Sequence, residues 1–66
     1  MTRREEVFDV FPCTIVTETD AAIKIALADG ELMWLPLSQV EEIHREGESQ
    51  DRLVISRWLA GKKGLL

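Results

Sequence analysis

The residues best suited to chemistry are few and scattered. His44 is the single histidine and Cys13 the single cysteine among 66 residues. A metal site needs three or four convergent ligands, and a catalytic triad needs a nucleophile beside an oriented base. No spacing in the chain assembles either around His44, which reads as a surface histidine on a strand. Cys13 can form no disulfide within the chain, and the sequence puts no cationic neighbour or helix N-terminus beside it to activate the thiol. It reads as a small buried hydrophobe. Glu41 and Glu42 are adjacent. A regular strand would point them to opposite faces, so they cannot work as an acid–base couple. The expectation is a chain without catalytic residues, metal or cofactor, and not an enzyme.

A binding role is easier to find. Ala21 to Pro36 reads as a β-hairpin on which the rest of the chain is organised. Ile23, Ile25 and Leu27 alternate with Lys24, Ala26 and Ala28, the period of a strand with one buried face. Asp29-Gly30 breaks the run with residues suited to a tight turn, and a short apolar strand follows that stops at Pro36. The side on which Trp34 lies depends on the loop. A two-residue Asp29-Gly30 loop pairs Ile25 with Trp34 and puts the indole in the core. A three-residue Ala28-Asp29-Gly30 loop pairs Ile25 with Met33 and Lys24 with Trp34, leaving Trp34 half exposed, because a one-residue slip swaps every side chain. These residues leave both loops open, and under the three-residue loop Trp34 is accessible. Trp34, Lys24 and Gln39 are then the candidate partner-binding residues, since an exposed Trp anchors many interfaces.

Around the hairpin the pattern is also mainly β. The charged start, Met1 to Glu6, is expected to fray. Val7 to Phe11 reads as a strand start or a short arm lying on the core, and Pro12 belongs at an edge, at a bulge or before the strand proper. Cys13 to Asp20 is rich in β-branched residues. Val40 and Ile43, three apart, suit a helical turn or a bulged strand, and a strand is preferred for 40–45. After the polar loop Glu46 to Asp51, Leu53 and Ile55 share one face of a strand. The tail RWLAGKKGLL reads as a short docked helix. Ser56 would be its N-cap, Gly64 its left-handed C′ residue, and Trp58 and Leu59 its anchors. The fold class expected is mainly β: a small bent antiparallel sheet or SH3-like barrel of about five short strands, with a short C-terminal helix, in a single domain over residues 1–66.

Composition narrows the function classes. At this length a chain buries only about 60% of its unfolded surface, so a homodimer would help stabilise it. Twelve acidic against eight basic residues give a formal net charge of −4, which disfavours a general nucleic-acid binder. Arg52, Arg57, Lys62 and Lys63 could still gather into a local patch. No stretch approaches the roughly 20 apolar residues of a membrane span, and no apolar segment follows Arg3 and Arg4 to suggest a secretion signal. With a lone cysteine, this points to the cytoplasm.

The segments WLPLSQV (Trp34 to Val40) and RWLAGKKGL (Arg57 to Leu65) resemble a group of small bacterial and phage-associated proteins of uncharacterised function. Those proteins carry a Trp-aliphatic-Pro-x-Ser-Gln-aliphatic segment and a terminal Trp-Leu-Ala-x-x-Lys-Gly-Leu. With the hairpin, the likeness spans Thr14 to Leu66. The departures lie in the tail: Ser56-Arg57 stands where Pro-Glu is frequent, and Gly61 where a charged residue is common. A frequent charge at the position of Leu32 implies that this face of the hairpin is wet, and so favours the three-residue Ala28-Asp29-Gly30 loop. The resemblance implies a compact β-rich module linked to mobile elements, and it carries no catalytic residue. Together these readings lead to a non-enzymatic protein-interaction module with an unidentified protein partner, an accessory or inhibitor protein of a phage or mobile element. The alternative is a small β-barrel that binds single-stranded nucleic acid through aromatic side chains in a basic groove.

Overall fold

The computed structural model of the protein describes residues 6–66, so the expected fraying of Met1 to Glu6 lies, apart from Glu6, outside the described residues. Five strands follow in chain order: β1 (Val7–Glu18), β2 (Ala22–Leu27), β3 (Leu32–Pro36), β4 (Val40–His44) and β5 (Asp51–Ser56). The helix α1 (Arg57–Lys62) comes last. The strands form one antiparallel sheet in the order β3-β2-β1-β5-β4. Its two edge strands are consecutive in the chain and are joined only by a 3-10 turn, Leu37–Gln39. So short a link forces the sheet to curl until its edges approach. It does not close: of the two expected forms, the structure is the bent open sheet.

Curling depends on β1, which serves two neighbours. Its first half pairs with β5 from Val7↔Ser56 to Val10↔Leu53, and its second half pairs with β2 from Cys13↔Leu27 to Glu18↔Ile23. The register shifts between Val10 and Cys13, where Phe11 and Pro12 stand on the outside. A bulge tolerates a proline because it leaves a residue out of the ladder. The apolar group Val7 to Phe11 is therefore the first half of β1 and not a separate arm.

Period-two patterning fills the inside of the curl. Ile23 and Ile25 from β2, Leu35 from β3, Leu53 and Ile55 from β5, and Val10 and Cys13 from β1 are buried together. Val40 and Ile43 pack against this cluster although they are three apart. The register shift between Val40 and Glu42 explains it, because the extra residue Glu41 turns the strand by one position. That shift also corrects the expectation for the two glutamates. Both are exposed and line the same outer groove, in place of facing opposite sides.

The hairpin carries the three-residue loop. The Leu27 N–H donates to the Glu31 carbonyl at 2.8 Å, and the Gly30 N–H to the Leu27 carbonyl at 2.8 Å. Asp29 Oδ1 accepts the Glu31 N–H at 3.0 Å. Gly30 has φ +91°, and a Cβ added there would meet nothing within 4 Å. The cost of Gly30→Ala is then the backbone alone, about 1–2 kcal/mol for a left-handed L-residue. Urea denaturation should show that loss, with the β spectrum unchanged.

Helix α1 closes one end of the curl. Ser56 caps it, its Oγ accepting the Leu59 N–H at 3.1 Å. The far end is a Schellman turn: the Leu65 N–H donates to the Ala60 carbonyl at 2.8 Å and the Gly64 N–H to the Gly61 carbonyl at 3.2 Å, with Gly64 at φ +74°. Leu59 and Ala60 are buried and Leu65 packs on the core. Trp58 is not the anchor expected of it. It is 61% exposed, and Lys62 Nζ lies 5.2 Å from its ring.

Candidate functional site

The outer face of β2 and β3 carries the pair expected from the hairpin. Lys24 stands opposite Trp34 in the ladder, and Lys24 Nζ lies 5.9 Å from the centre of the ring, near the outer limit of a cation–π contact. Trp34 is 43% exposed and Leu32, two residues before it on the same face, 54%. Ala26 stands opposite Leu32, so this part of the sheet is uncharged apart from Lys24. Gln39 belongs elsewhere. It is half-buried, and its Oε1 accepts the Ser56 hydroxyl at 2.7 Å, which ties the 3-10 turn to the start of α1. The structure thus joins Lys24 and Trp34 and commits Gln39 to the fold.

The backbone of β3 adds to this face. The Leu27–Glu31 bond makes that pair a hydrogen-bonded one, so in an antiparallel ladder Ile25–Met33 and Ile23–Leu35 are hydrogen-bonded too. The intervening residues Leu32, Trp34 and Pro36 then point their backbone groups away from β2, to the free edge of the sheet. Pro36, lacking an N–H, falls where β2 requires none. The opposite edge is built differently. In β4 the register shift interrupts the strand, and Glu41 and Glu42 put charge on two of its five positions. Bulges and charges are the usual means by which an edge strand is kept from pairing with another chain. β3 has neither.

A second, more polar groove lies on the outer face of β1, β5 and β4, lined by Asp9, Glu41, Glu42, His44 and Arg52. Four of these five side chains are engaged in pairs. His44 Nε2 lies 2.9 Å from Glu42 Oε1, and Arg52 donates to Asp9 at 2.7 Å while lying 4.3 Å from the centre of the Phe11 ring. No group of three His, Cys, Asp or Glu side chains among the described residues is arranged to hold a metal ion. Nor do the four basic residues form one patch. Arg52 is bound to β1 near the start of β5, while Arg57, Lys62 and Lys63 follow the strand's other end, about 3.3 Å per residue away.

One residue that the sequence does not single out organises the interior. Asp51 is the only charged side chain buried among the described residues. Its Oδ2 accepts the Ile15 N–H at 2.9 Å, and its Oδ1 accepts the Gly47 N–H at 2.8 Å. These bonds, first that from Ile15 and then that from Gly47, hold its carboxyl below the usual carboxylate range against the opposing effect of burial. The carboxylate thereby pins the β4–β5 loop onto β1, beside contacts from Ser49 to Thr14 and from Arg45 to Glu18. Its signal in the sequence is faint: an acidic residue opening a strand whose apolar stretch is Leu53, Val54 and Ile55, four positions after a glycine. Cys13 lies alongside, its thiol donating to the Asp51 carbonyl at 3.3 Å. Burial, and secondarily the Asp51 charge, push the thiol pKa up, which leaves it protonated and unreactive, as expected of a buried small hydrophobe.

No protein-family model, no curated protein and no solved structure matches this chain.

Proposed function

We propose that the protein is a non-enzymatic interaction module that accepts an extended protein segment along β3, with Leu32 and Trp34 as the apolar contacts and Lys24 at the rim. The observation that carries this reading is the contrast between the two edges of the sheet. Leu32 and Trp34 combine exposed apolar side chains with backbone groups that point away from β2 and have no partner among the described residues, the two requirements for adding a strand to a sheet edge. The chemically capable side chains support it from the other direction, because Cys13 and Asp51 are held in structural bonds and His44 faces a glutamate. A buried free thiol suits a reducing cytoplasm. No helix among the described residues is long and apolar enough to cross a membrane. The resemblance of the Trp34 and Trp58 segments to phage-associated proteins supports a role as an accessory or inhibitor protein of a mobile element.

A photo-crosslinking side chain at Leu32 tests the reading in the source cell, with one at Glu42 on the opposite edge as control. The expected result is a protein adduct from position 32, insensitive to nuclease, and none from position 42. Equal labelling from both positions would overturn it. An adduct lost on nuclease treatment would favour the nucleic-acid alternative. Against that alternative stand the net charge and the engagement of Arg52 with Asp9.

A further inference from the structure

Resting on the reading of β3 as the docking edge, we infer that the segment it accepts is β3 of a second copy of this chain, the two strands pairing antiparallel about a two-fold axis at Met33. The backbone fits this register. Leu32 of each copy stands opposite Trp34 of the other, and both residues point their N–H and C=O groups to the edge, so each N–H finds a carbonyl. Centring the axis on Trp34 would set Leu32 opposite Pro36, which has no N–H to give to the Leu32 carbonyl. The pairing at Met33 leaves Pro36 outside the bonded pairs.

Side chains and charge agree with it. Residues 32 and 34 share the outer face, so each Leu32 would lie beside the indole of the other copy, an aromatic–aliphatic cross-strand pair. Two rows would cross the joint, each reading Lys24, Trp34, Leu32, Ala26 and running in opposite directions, so that the two lysines lie at opposite ends. Two copies that each carry a net charge of −4 repel one another, and β3 is a strand without a charged residue. The other edge strand would set Glu41 and Glu42 against their counterparts. An edge of five residues is a small interface, well below the roughly 800 Å² per partner of a standard complex, so the association would be reversible and concentration-dependent.

The experiment is sedimentation velocity on the full chain from roughly 10 μM to 1 mM, the range in which weak complexes form. The expected result is a mass rising from 7.5 kDa towards twice that value, and at least a tenfold weakening for Leu32→Lys and for Trp34→Lys. Leu32 faces outward opposite Ala26, so Leu32→Lys should keep close to the wild-type urea midpoint; Trp34→Lys, opposite Lys24, should lose some of it, and either variant that folds suffices. In a Trp58→Phe background, Trp34 emission should shift to the blue as the concentration rises. A protein that stays monomeric throughout, or that associates equally well with both substitutions, overturns the proposal. If the monomer's position 32 still crosslinks to another protein, the self-pairing is wrong and the docking edge stands. If position 32 captures nothing, both fail.

Discussion

Asp51→Ala is expected to leave the protein largely unfolded under conditions where the wild type is folded. The carboxylate is buried, and the backbone N–H groups of Ile15 and Gly47 have it as their acceptor. Removing it leaves the donor of half-buried Ile15 without a partner, at about 1–3 kcal/mol, and the donor of exposed Gly47 with water alone, at less. A domain of this size holds only about 3–5 kcal/mol in total. The loop adds to the cost, because Glu48 and Ser49 both have positive φ, 54° and 63°, and such strain persists only where the surroundings over-determine it. Asp51→Asn separates charge from shape, since an amide of the same size keeps one acceptor and turns an N–H₂ group towards a backbone donor. The acid dependence has a definite sign. The carboxyl is held below its usual range in the folded state, so its stabilisation is complete above about pH 4 and disappears as the pH falls from there through the folded value. The gap in urea midpoint between wild type and Asp51→Asn should therefore be widest near neutrality and close in acid. A constant gap from neutral pH to acid would show that the charge of Asp51 does not hold the loop.

The parts of this fold that could be read from the residue string are those where a local rule acts alone. Alternation in Ile23, Ile25 and Leu27 identifies a strand and its buried face and narrows Trp34 to two positions, between which the Leu27 N–H bonding to the Glu31 carbonyl decides. Ser56 and Gly64 mark the ends of α1 because caps are local chemistry. What could not be read depends on groups brought together by the fold. Glu41 and Glu42 share a face because a bulge shifts the register between Val40 and Glu42. Gln39 bonds to Ser56, seventeen residues on. Asp51 looks like one more acidic loop residue until β1 presents the Ile15 N–H to it across thirty-six residues. The edge contrast lies between these cases. The charges of β4 are visible in the sequence, but only the strand order turns β3 and β4 into edges.

Leu59→Ala is expected to cost about 2–5 kcal/mol, and Trp58→Ala no more than about 0.5 kcal/mol. Size alone would reverse the order, since a buried tryptophan contributes more than a leucine. The phase of the helix decides otherwise. With Ser56 as the cap, Leu59 is the third helical residue, and it turns inward with Ala60 onto the core. Trp58 precedes Leu59 by one position, about 100° round a helix of 3.6 residues per turn. Its indole stays in solvent, with Lys62 one turn further along the same face, an i, i+4 pair of the kind that adds only a few tenths of a kcal/mol. Six residues cannot hold a helix by themselves. The tail is kept in place by Leu59, Ala60 and Leu65, and a chain ending at Ser56 would lose all three from the core. That truncation should unfold, Leu59→Ala should approach it, and Trp58→Ala should match the wild type in urea midpoint. A Trp58 variant as unstable as the Leu59 variant would mean that the helix docks through its other face.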